Sequence, residues 1–319
     1  MLTFGAFSFF LHPFCIFVVY RHSTSIARTI VISQIALEIA KWAHDIYWCL
    51  IYRPYLLVPL PAIVCSGPIC DARVDGTTLL ICLVFLMTAM PIPGIAILLR
   101  YHRGVNPHRK STYHSRRKCV VFSFVILSFT TNLVLYKLFA QSNANSVNVV
   151  AIHSLSWITK KHAILVLGNG VGELGNLEIA VYCTGITFAC LPIVAFCLLA
   201  GMVTEIHRTK STLLRSAAKR ISRKVTTELI IRLSATLIFY ILPQMFTIIL
   251  LILPKSFLAV LPTQMFPMLR LVLMLLFTCQ SSVITLILLL RTPPYRKYIA
   301  KLLHCKTGEN SDNAVPTPT

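Results

Sequence analysis

The chain has 319 residues, of which 56% are hydrophobic and 13% charged, about half the charged share of an ordinary soluble domain. That balance excludes a typical soluble enzyme and points to a membrane protein. The formal net charge of +20 leaves nucleic acid and anionic lipid as partners to be tested against the position of the charges.

About 20 apolar residues cross a hydrocarbon layer of roughly 30 Å as a helix. A helix satisfies its own backbone where no water can. The apolar runs predict an all-α membrane protein: a seven-transmembrane helix bundle over residues 1–291, with spans at about 2–20, 29–52, 77–99, 119–141, 179–203, 229–253 and 268–290. The first span lacks a basic leader and is followed by Arg21, the layout of a reverse signal-anchor with its N-terminus outside.

The second span carries Glu38, Lys41, His44 and Asp45. At 100° per residue, Glu38, Lys41, Trp42 and Asp45 share one stripe, and the spacing lets Lys41 pair with either acid. Each charge costs about 2.5–3.5 kcal/mol at the centre of a membrane helix, so the stripe is expected to face the bundle interior. It reads either as the polar floor of a ligand pocket or as an ion pair that holds helices together. Prolines fall inside the third, fifth and sixth spans (Pro91, Pro93, Pro192, Pro243), tolerable where neighbouring helices satisfy the freed carbonyls. Cysteines inside apolar runs, such as Cys82, Cys183, Cys190, Cys197 and Cys279, read as small hydrophobes, and the chain holds no C-x-x-C pair.

After the third span comes RYHRGVNPHRKSTYHSRRK, residues 100–118, with seven Lys or Arg and no acid. Nucleic-acid binding calls for aromatic platforms or a groove-fitting element on a soluble face, and none is present. His102, His108 and His114 recur every six residues, which is 600° around a helix, and no Cys or acid joins them as metal ligands. Neither a metal nor a cofactor is expected. The stretch reads as a cytoplasmic loop facing anionic lipid.

The loop of roughly 142–178 contains GNGVGELG at 168–175, a turn without the Lys-Ser/Thr or βαβ context of a phosphate loop. The HAILVL before it suggests a short strand over the bundle mouth. In the sixth span Pro243 predicts a kink, with Phe239, Tyr240 and Gln244 at the bend as candidate ligand contacts. Lys137, Arg232 and Arg270 lie near span ends and are expected to snorkel to the interface. The basic segment 205–228 reads as helical extensions of spans five and six, with a Leu213, Leu214, Ala217, Ala218 and Ile221 stripe suited to a partner's helix. Residues 292–306 form an amphipathic helix on the cytoplasmic membrane surface, where Cys305 is a palmitoylation candidate. The polar tail 307–319 reads as disordered.

Charge sets the orientation. Segments 21–28, 100–118, 204–227 and the tail from Arg291 carry 21 Lys or Arg, and the alternate loops carry five. The rich side is cytoplasmic and the N-terminus external.

Three places carry a resemblance. Asp45 is followed by Pro54-Tyr55-Leu56, Pro59 and Gly67; RYHRG follows span three; Pro294-Tyr295-Arg296 follows span seven. Together with the seven spans these resemble nematode serpentine chemoreceptors of the srh/sri type. The resemblance implies a chemosensory G-protein-coupled receptor in the plasma membrane, in a sensory-neuron cilium. It would bind an external small molecule or peptide among spans two, three, five, six and seven, and signal to a heterotrimeric G protein. Arg100, Arg103, Lys219 and Arg220 are the candidate G-protein face. The second external loop has no Cys before Cys183, so the usual disulfide to the top of span three lacks its loop partner, and Cys65 with Cys70 is the local alternative. Asp-Arg-Tyr and Asn-Pro-x-x-Tyr motifs of the rhodopsin type are absent. The competing reading is a transporter or channel built on the charged stripe, though no internal repeat supports it. No Gly-x-Ser-x-Gly or metal-spaced set supports an enzyme.

Overall fold

A computed structural model of the chain describes residues 1–23, 28–57, 62–71, 76–105, 111–140, 163–166, 178–208, 216–253, 256–257 and 264–304. Its helices assemble into seven rods. The first is α1 (Leu2–His22) and the second α2 (Arg28–Ile46), which continues as a π-helical segment, Tyr47–Tyr52. The third rod is α3 (Gly76–Ala89) followed by α4 (Pro91–Val105), the fourth α5 (Ser111–Ala140) and the fifth α6 (Glu178–Arg208). The sixth joins α7 (Ser216–Thr236), a π-helical segment Leu237–Ile241 and α8 (Leu242–Ile252). The seventh is α9 (Met265–Arg291), and α10 (Pro293–His304) turns away after it.

Six rods contain helices long and apolar enough to cross a membrane: Leu2–His22, Thr78–Tyr101, Cys119–Leu138, Glu178–Gly201, Thr226–Ile252 and Met265–Arg291. The second differs because its middle holds Glu38, Lys41 and Asp45. Large apolar side chains point outward around the bundle, among them Phe10, Leu127, Ile186 and Leu271. In water such a girdle would drive aggregation; against lipid tails it is simply solvated. Several helices overrun the apolar windows on the basic side. α5 starts at Ser111, α6 reaches Arg208 and α7 starts at Ser216. Helical backbone bonds do not require lipid, so polar turns continue the rod into water.

Prolines shape the rods where they cannot donate. The third rod breaks at Met90, and Pro91 restarts it at the first helical position, where a missing N–H costs nothing. In the sixth rod Pro243 follows the Leu237–Ile241 π segment, a wider turn that takes up the local mismatch of the hydrogen-bond ladder.

One end of the bundle carries a small sheet, an addition to the all-α plan confined to the connections. β1 (Pro54–Leu56), β2 (Ala62–Cys65) and β3 (Ala163–Val166) pair antiparallel in that order, with Tyr55 opposite Val64 and Val64 opposite Ile164. β3 is the strand expected within HAILVL. The glycine run 168–175, Pro59, Cys305 and the tail lie outside the described residues. Cys65 and Cys70 form a disulfide at the hairpin base. There Arg53 adopts a left-handed conformation (φ 46°) and ends the second rod, with its N–H donating to Trp48 O at 3.1 Å. Gly67 passes so close that an added Cβ would lie 1.9 Å from the Ile51 carbonyl oxygen. No side chain fits that approach.

Three apolar clusters fill the interior: one beneath the sheet end, centred on Trp48, Tyr240 and Phe277; one between α4, α5, α6 and α7; and one where α1, α9 and α10 meet. Gly67→Ala is therefore expected to abolish most surface expression, because the carbonyl it meets belongs to fixed backbone. Gly94→Ala, whose added Cβ meets nothing within 4 Å, should express normally. Flow cytometry of a tagged receptor measures both.

Candidate functional site

The charged residues of α2 do not stand alone. Lys41 Nζ donates to Glu38 Oε1 at 2.6 Å and to Thr285 Oγ1 at 3.3 Å. The Thr285 hydroxyl in turn donates to Glu38 Oε2 at 2.7 Å, and Gln34 Nε2 reaches Glu38 Oε1 at 3.3 Å. From α1, His12 places Nδ1 3.1 Å from Glu38 Oε2 and Nε2 3.3 Å from Asp45 Oδ2. Ser8 and Ser281 donate to the two oxygens of Asp45. Glu38, Asp45 and Lys41 are 0%, 1% and 4% exposed.

A carboxylate only accepts, so with both acids ionised both nitrogens of His12 must donate. His12 is then an imidazolium. Two cations and two anions cancel within one cluster spanning α1, α2 and α9. Breaking one partner of such a set costs about 3–5 kcal/mol, because the other charge stays buried. Trp42, placed on the same stripe by the sequence, is not drawn in. It is half-buried, tilts against Phe9 at 6.0 Å, and its Nε1 meets no acceptor among the described residues. His44 joins instead, with Nδ1 3.3 Å from Asp45 Oδ1 and its ring stacked on Trp48 at 5.9 Å.

Two cavities flank the middle of the bundle. A cavity of about 110 Å³ lies under the sheet, lined by Leu56, Ala62 and Ile63 of the hairpin, by Trp48, and by side chains of α3, α5, α6, α8 and α9. A cavity of about 170 Å³ lies toward the basic end, between α2, α4, α6, α7 and α9, with Lys41, Arg232 and Gln280 in its wall. Tyr240 lines the second, Met87 and Gln244 the first. Their walls meet at Tyr240, whose hydroxyl donates to the Met87 carbonyl and whose ring packs edge-on to Phe188 at 5.8 Å; Gln244 Nε2 lies 3.6 Å from Met87 Sδ. That carbonyl is free because the residue four positions on is Pro91, which has no N–H. The third rod's break is thus closed by the hinge of the sixth. Phe239 is half-buried and lines neither cavity.

At the basic end Arg100 donates to Thr29 O and to Ser33 Oγ, tying α4 to the start of α2. Arg232 turns inward instead of snorkelling: its guanidinium donates to Thr292 Oγ1 at 2.6 Å and lies 3.8 Å from Glu228, bridging the sixth rod to the α9–α10 turn. Tyr295 is buried, and its hydroxyl lies 2.5 Å from Ser23 Oγ, pinning α10 to the end of α1. Burial raises its phenol above the usual range, which keeps that hydroxyl protonated. Pro54 is buried, Pro294 half-buried, Tyr55 and Arg296 exposed. Arg103, Lys219 and Arg220 fall within α4 and α7, and the positions of their side chains lie outside the described residues.

Sequence reasoning passed over Ser8, His12, Ser281, Thr285 and Trp48. A signal existed for the first four: Ser8 and His12, like Ser281 and Thr285, are four apart in otherwise apolar spans, hence on one face. Their partner helix was not readable from spacing.

The cluster predicts a non-additive pair. Glu38→Gln or Lys41→Met alone leaves a net buried charge and should cut surface expression severely. The double variant leaves His12 and Asp45 balanced and should recover much of the loss. Thermal unfolding midpoints in detergent measure the same effect, and a double variant that loses the sum of both would contradict charge cancellation.

Compared with curated proteins, the chain has no match. A family model described as serpentine type 7TM GPCR chemoreceptor Srh matches residues 1–305, nearly the whole chain. With seven rods, an outward apolar girdle and paired charges turned inside, the chain belongs to the Srh family of serpentine seven-transmembrane chemoreceptors.

Proposed function

We propose that this chemoreceptor binds an external ligand in the cavity under the sheet and signals through a heterotrimeric G protein at the basic end. The observation that carries the reading is the Tyr240–Met87 contact between the two cavities. A ligand shifts only the equilibrium between states it binds unequally. A ligand pressing on Met87 or Gln244 acts on the groups that hold the sixth rod's hinge, and movement there changes the cavity at the other end. The excess of Lys and Arg supports placing that other end in the cytosol and the N-terminus outside. The receptor would sit in the plasma membrane of a sensory neuron, in its cilium.

Gln244 keeps its proposed place at the ligand site, joined by Trp48, while Tyr240 lines the other cavity and meets the site through Met87. Glu38, Lys41 and Asp45 are proposed to brace the bundle and not to touch ligand, since their polar atoms are already engaged. The same engagement weighs against a transporter that would need them as substrate groups. Arg103, Lys219 and Arg220, with the larger cavity, form the proposed G-protein face, and Arg100 acts by tying α4 to α2.

Two outcomes test this. Charge reversal at Arg103, Lys219 and Arg220 should abolish G-protein signalling in a cell assay while surface expression stays normal; unchanged signalling would refute the assignment. Arg232→Met, which removes the tie to Thr292, should raise ligand-independent signalling severalfold by freeing the sixth rod. A basal signal at or below the parent level would place the hinge elsewhere.

A further inference from the structure

We infer that the cavity under the sheet selects an uncharged, compact ligand carrying a carbonyl-type hydrogen-bond acceptor. This rests on the reading of that cavity as the ligand site and goes beyond it to the ligand's chemistry.

Three observations lead there. First, no Asp, Glu, Lys, Arg or His is among the described residues of its wall. A carboxylate or ammonium entering it would lose its water without gaining a counter-charge, a penalty of several kcal/mol. The bundle's buried charges are close by in α2, but they are bonded to one another. Second, the wall's threonine hydroxyls are already used. Thr247 Oγ1 donates to Pro243 O at 2.9 Å, and Thr184 Oγ1 is 2.8 Å from Ala180 O and 2.9 Å from Asn132 Oδ1. The Tyr136 hydroxyl lies 3.4 Å from Thr184 Oγ1.

Two N–H donors are left over. Trp48 is 1% exposed and its Nε1 meets no acceptor among the described residues, although a buried indole N–H ordinarily finds one. Among the same residues Gln244 Nε2 has only the Met87 thioether, a weak acceptor. A carbonyl oxygen supplies what these donors lack, and an amine or alkane does not. Gln244 also touches Met87, whose carbonyl holds Tyr240. The group that recognises the ligand is therefore next to the group that holds the hinge.

Third, size. An apolar cavity of about 150 Å³ accepts benzene, with six non-hydrogen atoms, so a cavity of about 110 Å³ suits about four or five. Peptides and sugars are too large for it as it stands. Small ketones, aldehydes and esters fit. The hairpin residues Leu56, Ala62 and Ile63 close one side with apolar surface.

The test uses a series of compounds with five non-hydrogen atoms each on the full chain in lipid nanodiscs: 2-butanone, propanoate, butylamine and pentane. The readout is the shift in thermal unfolding midpoint with ligand concentration, which needs no G protein. The ketone should shift the midpoint saturably, and the two charged compounds should give no shift at the same concentrations. Pentane should bind more weakly than the ketone. Trp48→Phe and Gln244→Leu should each weaken the ketone roughly five- to tenfold, the loss of one neutral hydrogen bond, and leave any pentane shift unchanged. Should Trp48→Phe prove unstable, Gln244→Leu carries the same comparison. Equal or stronger binding of propanoate or butylamine, no shift from any member, or ketone affinity indifferent to both variants would overturn the inference. Signalling is read separately, so a receptor that couples to G protein yet prefers a charged compound sinks this inference alone.

Discussion

A lipid interior offers charges no water, so the four in the middle of this bundle must satisfy one another. Lys41 and His12 face Glu38 and Asp45, and the hydroxyls of Ser8, Ser281 and Thr285 complete the carboxylates' bonds. Because the partners come from α1, α2 and α9, the arrangement locks those rods in register. Sliding or rotating any one of them would strand a buried charge, a cost larger than a typical packing contact. The rest of the molecule is arranged against that fixed wedge.

The remaining rods carry softer features. Pro91 interrupts the third, Pro192 sits inside the fifth, and Pro243 follows a π segment in the sixth. The Tyr240 hydroxyl spans from the sixth rod to the carbonyl that Pro91 leaves unbonded. A single hydrogen bond is worth only about 1 kcal/mol net. It is thus strong enough to set the position of the proposed hinge and weak enough for the proposed ligand to shift. The cavities on either side of that bond, one beneath the sheet and one between the basic ends, give the two places from which it can be biased. The division of labour is physical: ionic bonds hold what stays still, and one neutral hydrogen bond holds what is proposed to move.

The seven-rod plan was legible because lipid leaves few alternatives for long apolar runs. The second rod was legible for the opposite reason, since charges in an apolar context are costly enough to imply a buried stripe. Periodicity put Glu38, Lys41 and Asp45 on one face, and they share one cluster. The same arithmetic included Trp42, which the packing of Phe9 holds apart. His12 shares a face with Ser8 in the sequence, but its role was not legible, because it comes from two carboxylates 26 and 33 residues away. The proline at 91 was read as tolerable where a neighbouring helix satisfies the freed carbonyl, but that neighbour, Tyr240, lies 153 residues from Met87, and only tertiary structure brings them together. Arg232 was misjudged for a related reason. Proximity to a span end favours snorkelling, yet Thr292 offers a nearer partner inside.

The claim on which the account turns is that His12 is a doubly protonated bridge between Glu38 and Asp45. Nitrogen-15 solid-state NMR of the histidine-labelled receptor in bilayers, with His12 identified by its loss in His12→Gln, measures it directly. The account predicts both ring nitrogens of His12 protonated at neutral pH. A neutral ring with one bare nitrogen would contradict the charge-balanced lock.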